Sequence, residues 1–183
     1  AKQWKGEGTS RFFMAGIFAD SELKVLPYNR VVHDLNGHSV EEFVALVAEK
    51  FTVTKTDSPA PEKRGTMMMY LEEQWFLLEP KSQIISTDVV EALDASILQD
   101  NVLAPILGIE NPRTDNRISF VGGIRGTDAL ERAVSEGAAV AFSLFATGMD
   151  QLLAVADADR LMPPKCTWFE PKLRGGVLVH KLR

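Results

Sequence analysis

The residues able to do chemistry gather around one glycine-rich stretch, Phe120-Val121-Gly122-Gly123-Ile124-Arg125-Gly126-Thr127-Asp128. Three glycines between a strand-like and a helix-like run let the backbone approach a ligand closely. A helix start presents unpaired N–H groups, and Arg125 adds a fixed positive charge, so the stretch reads as a cradle for phosphate or carboxylate. It is neither of two familiar nucleotide loops, because the Gly-Lys-Ser/Thr ending of a Walker loop is missing and the spacing is not G-x-G-x-x-G. Asp128 and Glu131 fit helix capping and oppose an anion at the same end. A tight strand-to-helix turn with a solvated arginine accounts for the same residues.

A second cluster flanks the first. Arg113, Asp115 and Arg117 precede the strand, and Lys165, Lys172 and Arg174 lie in a proline-rich tail. If the tail folds back over the strand ends, Arg113, Lys165 and Lys172 join Gly122, Gly123 and Arg125 in one ligand-binding site, where guanidinium forks suit a carboxylate or phosphate. Taken singly, each charge is equally explained by surface ion pairing or solvation. His33, His38 and His180 show no metal-ligand spacing, so no metal site is expected. His33 beside Asp34 reads either as a base held by a carboxylate or as a structural turn residue. The lone Cys166 reads as an inert thiol, having no neighbouring histidine, or as a thiolate activated by the adjacent Lys165. No nucleophile elbow is present, no catalytic residue is assigned, and no motif names a cofactor.

The elements that must carry these residues are legible in outline. With 183 residues, 45% hydrophobic and 25% charged, the chain has enough material for one good core or two small lobes sharing one. Arg11 to Ala19 and Leu23 to Val32 read as the strands of a hairpin turning at Asp20-Ser21-Glu22, the second strand bending at Pro27. Ser39 and Glu42 form a capping box ahead of Val40, Phe43, Val44 and Val47 at helical spacing. Phe51 to Thr56 has β character. Thr66 to Leu71 and Gln74 to Glu79 read as a second hairpin turning at Glu72-Glu73, in which Met67-Met68-Met69 points to both faces. Asp88 to Leu107 carries a helical pattern that Pro105 ends or kinks.

From Ile118 the rhythm changes to strand (Ile118 to Val121), helix (Thr127 to Glu136, stopped by Gly137), strand (Ala139 to Phe145) and helix (Met149 to Ala156). That order allows parallel strands with a crossover helix. A tail from Leu161 then ends in a strand, Gly176 to Leu182, with His180 as a cross-strand partner. The expected class is α+β: antiparallel hairpins with packed helices, plus a smaller βαβ-like C-terminal lobe. Its parts are a lead-in over 1–10, a hairpin-and-helix lobe over 11–117 and the βαβ-like lobe with its tail over 118–183.

Charge and cysteine usage narrow the function. Twenty-five acids against 20 bases give a net charge of -5, which disfavours general nucleic-acid binding but leaves a local basic pocket free to hold a small anion. The apolar runs, such as Ala138 to Ala146, are too short to span a bilayer, and no signal segment opens the chain. One cysteine excludes an internal disulfide and makes the cytoplasm the expected compartment.

Several strings carry a family resemblance: YNRVV (28–32), DLNG (34–37), SILQDNVLAPILGI (96–109), PRTDNR (112–117), FVGGIRG (120–126) and MPPKCTWFEPKLRGG (162–176). Together they resemble the C-terminal part of the bacterial and archaeal family known as domain of unknown function 1015, from about Arg11 onward. Cys166 and Gly175 stand where serine is usual in that pattern. The resemblance implies a ParB-like or SpoOJ-like N-terminal part bearing an Asp-Gly-His-His-Arg motif, absent here and expected upstream of Ala1. ParB-like folds serve DNA partition proteins and enzymes that bind ATP or ADP, including a free-serine kinase. The resemblance therefore implies a companion domain binding a phosphorylated small molecule or nucleotide, with any kinase-like activity residing mainly upstream. A DNA-partition or regulatory role and a structural domain forming homo-oligomers are the alternatives.

Overall fold

A computed structural model of the chain describes residues 12–19, 22–172 and 175–181, and divides it into two compact units, Val25–Trp168 and the combination of Ala1–Lys24 with Phe169–Arg183. The larger unit is built on a six-stranded antiparallel sheet. Its strands are β2 (Tyr28–Val32), β3 (Phe51–Thr56), β4 (Met67–Leu71), β5 (Gln74–Pro80), β6 (Ile118–Gly122) and β7 (Val140–Leu144), in the order β3-β5-β4-β7-β2-β6. β1 (Lys24–Leu26) and β8 (Trp168–Glu170) form a separate two-stranded sheet. With four α-helices among the described residues, the class is α+β, as the sequence pattern predicts.

Each face of the sheet is buried. On one face, α1 (Val40–Lys50) and the segment containing α2 (Asp94–Leu98) cover Val32, Met67, Met69 and Phe142, which are at most 0% exposed. On the other, α3 (Asp128–Ser135) packs Leu130 against Val31, Met68, Trp75 and Ala141. The three consecutive methionines thus divide between two cores, as alternation on a strand requires. The Trp75 indole Nε1 donates to the Glu131 carboxylate at 2.7 Å, tying α3 to the sheet.

The start of α1 is set by its caps. Glu42 N donates to the Ser39 hydroxyl at 3.2 Å, while the Glu42 carboxylate accepts from Ser39 N at 2.9 Å. Ser39→Ala is expected to cost about 1 kcal/mol of stability by urea denaturation, the usual loss for removing a capping hydroxyl.

β6 and β7 lie in one sheet and run in the same direction, joined through α3, but β2 sits between them and is antiparallel to both. This pairing replaces the hairpin expected of 11–19 with 23–32. Residues 12–19 have no regular secondary structure, and Phe13 and Ile17 are almost fully exposed; part of the expected turn, Asp20 and Ser21, lies outside the described residues. The physical reason is that Asn29 to Val32 are buried throughout, so β2 needs neighbours along both edges, and only long-range strands supply two.

Two further expectations are corrected. The helical pattern of 88–107 resolves into turns over 88–93, α2, and a π-helical turn over Gln99–Leu103. The Asp88 carboxylate accepts from Val90 N and Glu91 N at 2.9 and 3.0 Å, capping the turn that opens this segment. The strand expected over 176–182 is absent among the described residues 175–181, where Val177, Leu178 and Val179 are exposed. An isolated apolar run cannot form a stable strand without a partner edge. His180 accordingly lies outside any strand.

Candidate functional site

On β2, Tyr28, Arg30 and Val32 share the face covered by α1 and α2, since alternate residues of a strand point the same way. Arg30 stands in register with Phe120 of β6 and Phe142 of β7 and is only 3% exposed. Its guanidinium donates to the Tyr28 carbonyl and lies 5.6 Å from the centre of the Phe120 ring. Among the described residues no carboxylate pairs with it. Burial pushes its pKa down to about 10, a shift that nearby Cys166 partly opposes, so the group is still a cation at neutral pH.

An unpaired cation in this position opens onto a cavity. No fully buried side-chain nitrogen or oxygen among the described residues lacks a hydrogen-bond partner, and Arg30 lines the space beside it. That space is a cleft of about 390 Å³ lined by Arg30, Gln99, Glu110, Asn111, Arg113 and Phe120, with Pro163 and Pro164 of the tail. A second cleft of about 470 Å³ is lined by Arg113, Asp115, Ile118 and Lys165. The two share Pro112, Arg113, Phe120 and Pro164, and are therefore adjacent.

Local structure explains the shape. The loop before β6 is pinned by Arg117, whose guanidinium donates to the carbonyls of Leu107 and Gly108, both at 3.0 Å, and grips the Asp115 carboxylate at 2.8 Å. Those bonds hold the Asp115 carboxyl below the usual range and take up its charge. The tail is pinned by Thr147, whose hydroxyl donates to the Cys166 carbonyl at 3.1 Å. The Cys166 thiol donates to the Pro163 carbonyl at 2.9 Å; burial pushes its pKa up, consistent with an inert group. The Lys165 ammonium lies 5.2 Å from the centre of the Tyr28 ring.

The residues singled out from the sequence are thus sorted. Arg113 and Lys165 meet at the cleft. Gly122, Gly123 and Arg125 line neither part of it. Gly122 lies beneath the Trp168 ring, which a Cβ would overlap. Gly123 N donates to the Pro27 carbonyl at 2.8 Å, and Gly126 N to the Gly123 carbonyl at 3.1 Å, so these N–H groups are already engaged; Arg125 is exposed on the 3₁₀ turn that follows. Lys172 belongs to the smaller unit, and Arg174 lies outside the described residues. His33 N donates to the Arg117 carbonyl at 2.9 Å, a structural contact. Among the described residues no cluster of His, Cys, Asp or Glu is suited to a metal ion, and no helix is long and apolar enough to cross a membrane.

Arg30, Gln99 and Asn111 escaped the sequence reading. The signal for Arg30 was present in YNRVV, where a cation falls in phase with Tyr28 and Val32 on a strand buried along most of its length. Gln99 and Asn111 carried none, since their placement follows from the π-helical turn and the loop after it.

Comparison with known proteins gives a match over residues 1–96 to the family described as "Protein of unknown function (DUF1015)". No curated protein matches. Among solved structures, a free serine kinase in complex with AMP is 13% identical with a TM-score of 0.49, over 82% of this chain and 55% of that one. A conserved hypothetical protein from Pyrococcus furiosus is 13% identical with a TM-score of 0.47, over 82% and 57%. A free serine kinase mutant in complex with ADP is 16% identical with a TM-score of 0.46, over 82% and 55%. The chain spans little more than half the length of the structures it matches.

Proposed function

The chain belongs to the DUF1015 family of proteins of unknown function, and from that premise we propose that its larger unit binds a phosphorylated small metabolite or a nucleotide, holding an anionic group of the ligand at Arg30. The observation that supports this reading is the Arg30 guanidinium, buried without a carboxylate among the described residues and open to a cleft that Arg113 also lines. A buried charge is costly unless it is paired, and a ligand phosphate or carboxylate is the pairing group that the arrangement lacks. Gln99 and Asn111 add neutral donors and acceptors, and Glu110 is the one acid of the inner lining.

In this reading the unit recognises the ligand, and the bond-making residues of a longer protein lie elsewhere. The inner lining contains no Ser, Thr, Cys, His or Lys among the described residues. The DNA-partition role and the ParB-like label attached to the resemblance have no observation in their favour: the net charge is -5, and the cations Arg30 and Arg113 line a cleft.

The test is calorimetric titration of wild type and Arg30→Met with inorganic phosphate and with ADP. Wild type is expected to bind, and the substitution to weaken binding by about one to two decades, the equivalent of about 1.5–3 kcal/mol for one charge-assisted contact. Equal binding by the two proteins, or none by wild type, would sink the reading.

A further inference from the structure

The cleft at Arg30 is lined by fixed acceptors as well as by cations, and we infer that its ligand bears a hydrogen-bond donor, an ammonium or hydroxyl group, on the same small molecule as its anion, with Gln99 as the residue that selects it. This inference rests on the reading that Arg30 holds the anion, and it specifies what else the ligand bears.

The backbone sets which way the Gln99 amide points. Its Nε2 donates to the Ile109 carbonyl at 2.8 Å, and only the nitrogen of an amide can serve a carbonyl, so Oε1 is the end left over. Oε1 has no partner among the described residues, and Gln99 is a half-buried residue that lines the cleft. Since every fully buried side-chain nitrogen or oxygen there has a partner, this oxygen is open to solvent. The segment it leans on is rigid. Four successive carbonyls accept from side chains: Ile106 from Asn36 at 3.0 Å, Leu107 and Gly108 from Arg117 at 3.0 Å each, and Ile109 from Gln99. The amide therefore cannot turn over to offer its nitrogen without giving up the last of these bonds.

The remaining polar groups of the cleft divide in the same way. Asn111 Oδ1 accepts from Arg113 N at 3.1 Å, which leaves its Nδ2 as a donor beside Arg30 and Arg113. The Glu110 carboxylate, exposed and without an ion pair among the described residues, is an acceptor like Gln99 Oε1. A bare phosphate or carboxylate satisfies the donors and turns oxygen towards the acceptors, which is unfavourable. A ligand with an anion and a donor on one short skeleton satisfies both sets, and about 390 Å³ is room for such a molecule.

The test uses three phosphate esters of equal chain length, 2-aminoethyl, 2-hydroxyethyl and propyl phosphate, which differ only in the terminal group. Calorimetry on wild type is expected to show at least one of the first two binding about tenfold tighter than propyl phosphate, and the arm that does so identifies the donor. Gln99→Met is expected to abolish the preference while leaving propyl phosphate affinity within about twofold of wild type. Should Gln99→Met also weaken propyl phosphate, through the lost bond to Ile109, Gln99→Lys decides: it keeps a donor for that carbonyl, presents no acceptor, and is expected to show no preference for 2-aminoethyl phosphate. Equal binding of the three esters by wild type, or a preference that survives in both variants, overturns the donor inference and leaves the Arg30 reading standing. Failure of all three to bind wild type overturns both.

Discussion

Arg30→Met is expected to make the ligand-free protein more stable, by about 1–3 kcal/mol, as read from urea denaturation in a buffer without phosphate. The reasoning starts from what burial does to the guanidinium. Its pKa falls from its ordinary value to about 10, which means that the folded state holds the charged form less favourably than the unfolded chain does. Methionine fills similar space without a charge, and it sits well beside Phe120 and Phe142, which are in register with this position. The lost hydrogen bond to the Tyr28 carbonyl offsets part of the gain. A purely structural arginine would behave in the opposite way, its loss lowering stability. Gain of stability together with loss of anion binding is the pattern of a site whose cost is tolerated for function.

The second large effect concerns Asp94, which is buried beneath the loop leading to β4. Its carboxylate accepts from Gly65 N at 3.0 Å, yet burial outweighs that bond and raises its pKa to about 6. Because the folded pKa lies above the unfolded one, the native state binds more protons between about pH 4 and pH 6, and stability falls as pH rises through that window. Above it the full burden remains. Asp94→Asn keeps an acceptor for Gly65 and removes the charge. It is expected to stabilise the protein by about 1–3 kcal/mol at pH 8 and by much less at pH 4, as measured by urea denaturation at both values. An equal effect at the two values would place the cause elsewhere.

How much of this was legible in the sequence depended on the range of the interaction responsible. The Ser39–Glu42 box, the helix behind it and the turn at Glu72-Glu73 are local, and each stands where its residues indicate. At that turn both glutamates adopt left-handed backbone, φ 47° and 59°, as a two-residue hairpin loop requires. Pairing across long stretches of chain was not legible. Nothing within 23–32 says that its partners are 118–122 and 140–142, and an adjacent apolar run at hairpin spacing offered a more obvious one.

The site divided in the same way. A glycine-rich turn draws attention because its composition is unusual, yet Gly122 answers to the packing of Trp168 and Gly123 to Pro27. Arg113 and Lys165 were visible as charges, and their meeting depended on the fold of the tail. Arg30 was the harder case. A lone cation in a strand ordinarily marks an exposed edge, and only knowledge that β2 has neighbours on both sides turns it into a buried charge.

The strand order β3-β5-β4-β7-β2-β6 also sets a timetable for the chain. As the polypeptide leaves the ribosome, β4 and β5 can close as a hairpin as soon as they emerge, with β3 joining the other edge of β5. β2 is made before all three and must wait, because its partners are β6 and β7. Until then Val31 and Val32 have no sheet to join, and the edge of β4 that will receive β7 stays open. The unpaired interval spans the synthesis of most of the domain, and it is the period in which the nascent chain most needs protection from edge-to-edge association. Arg30, in the middle of the waiting strand, keeps that strand polar for the whole of it.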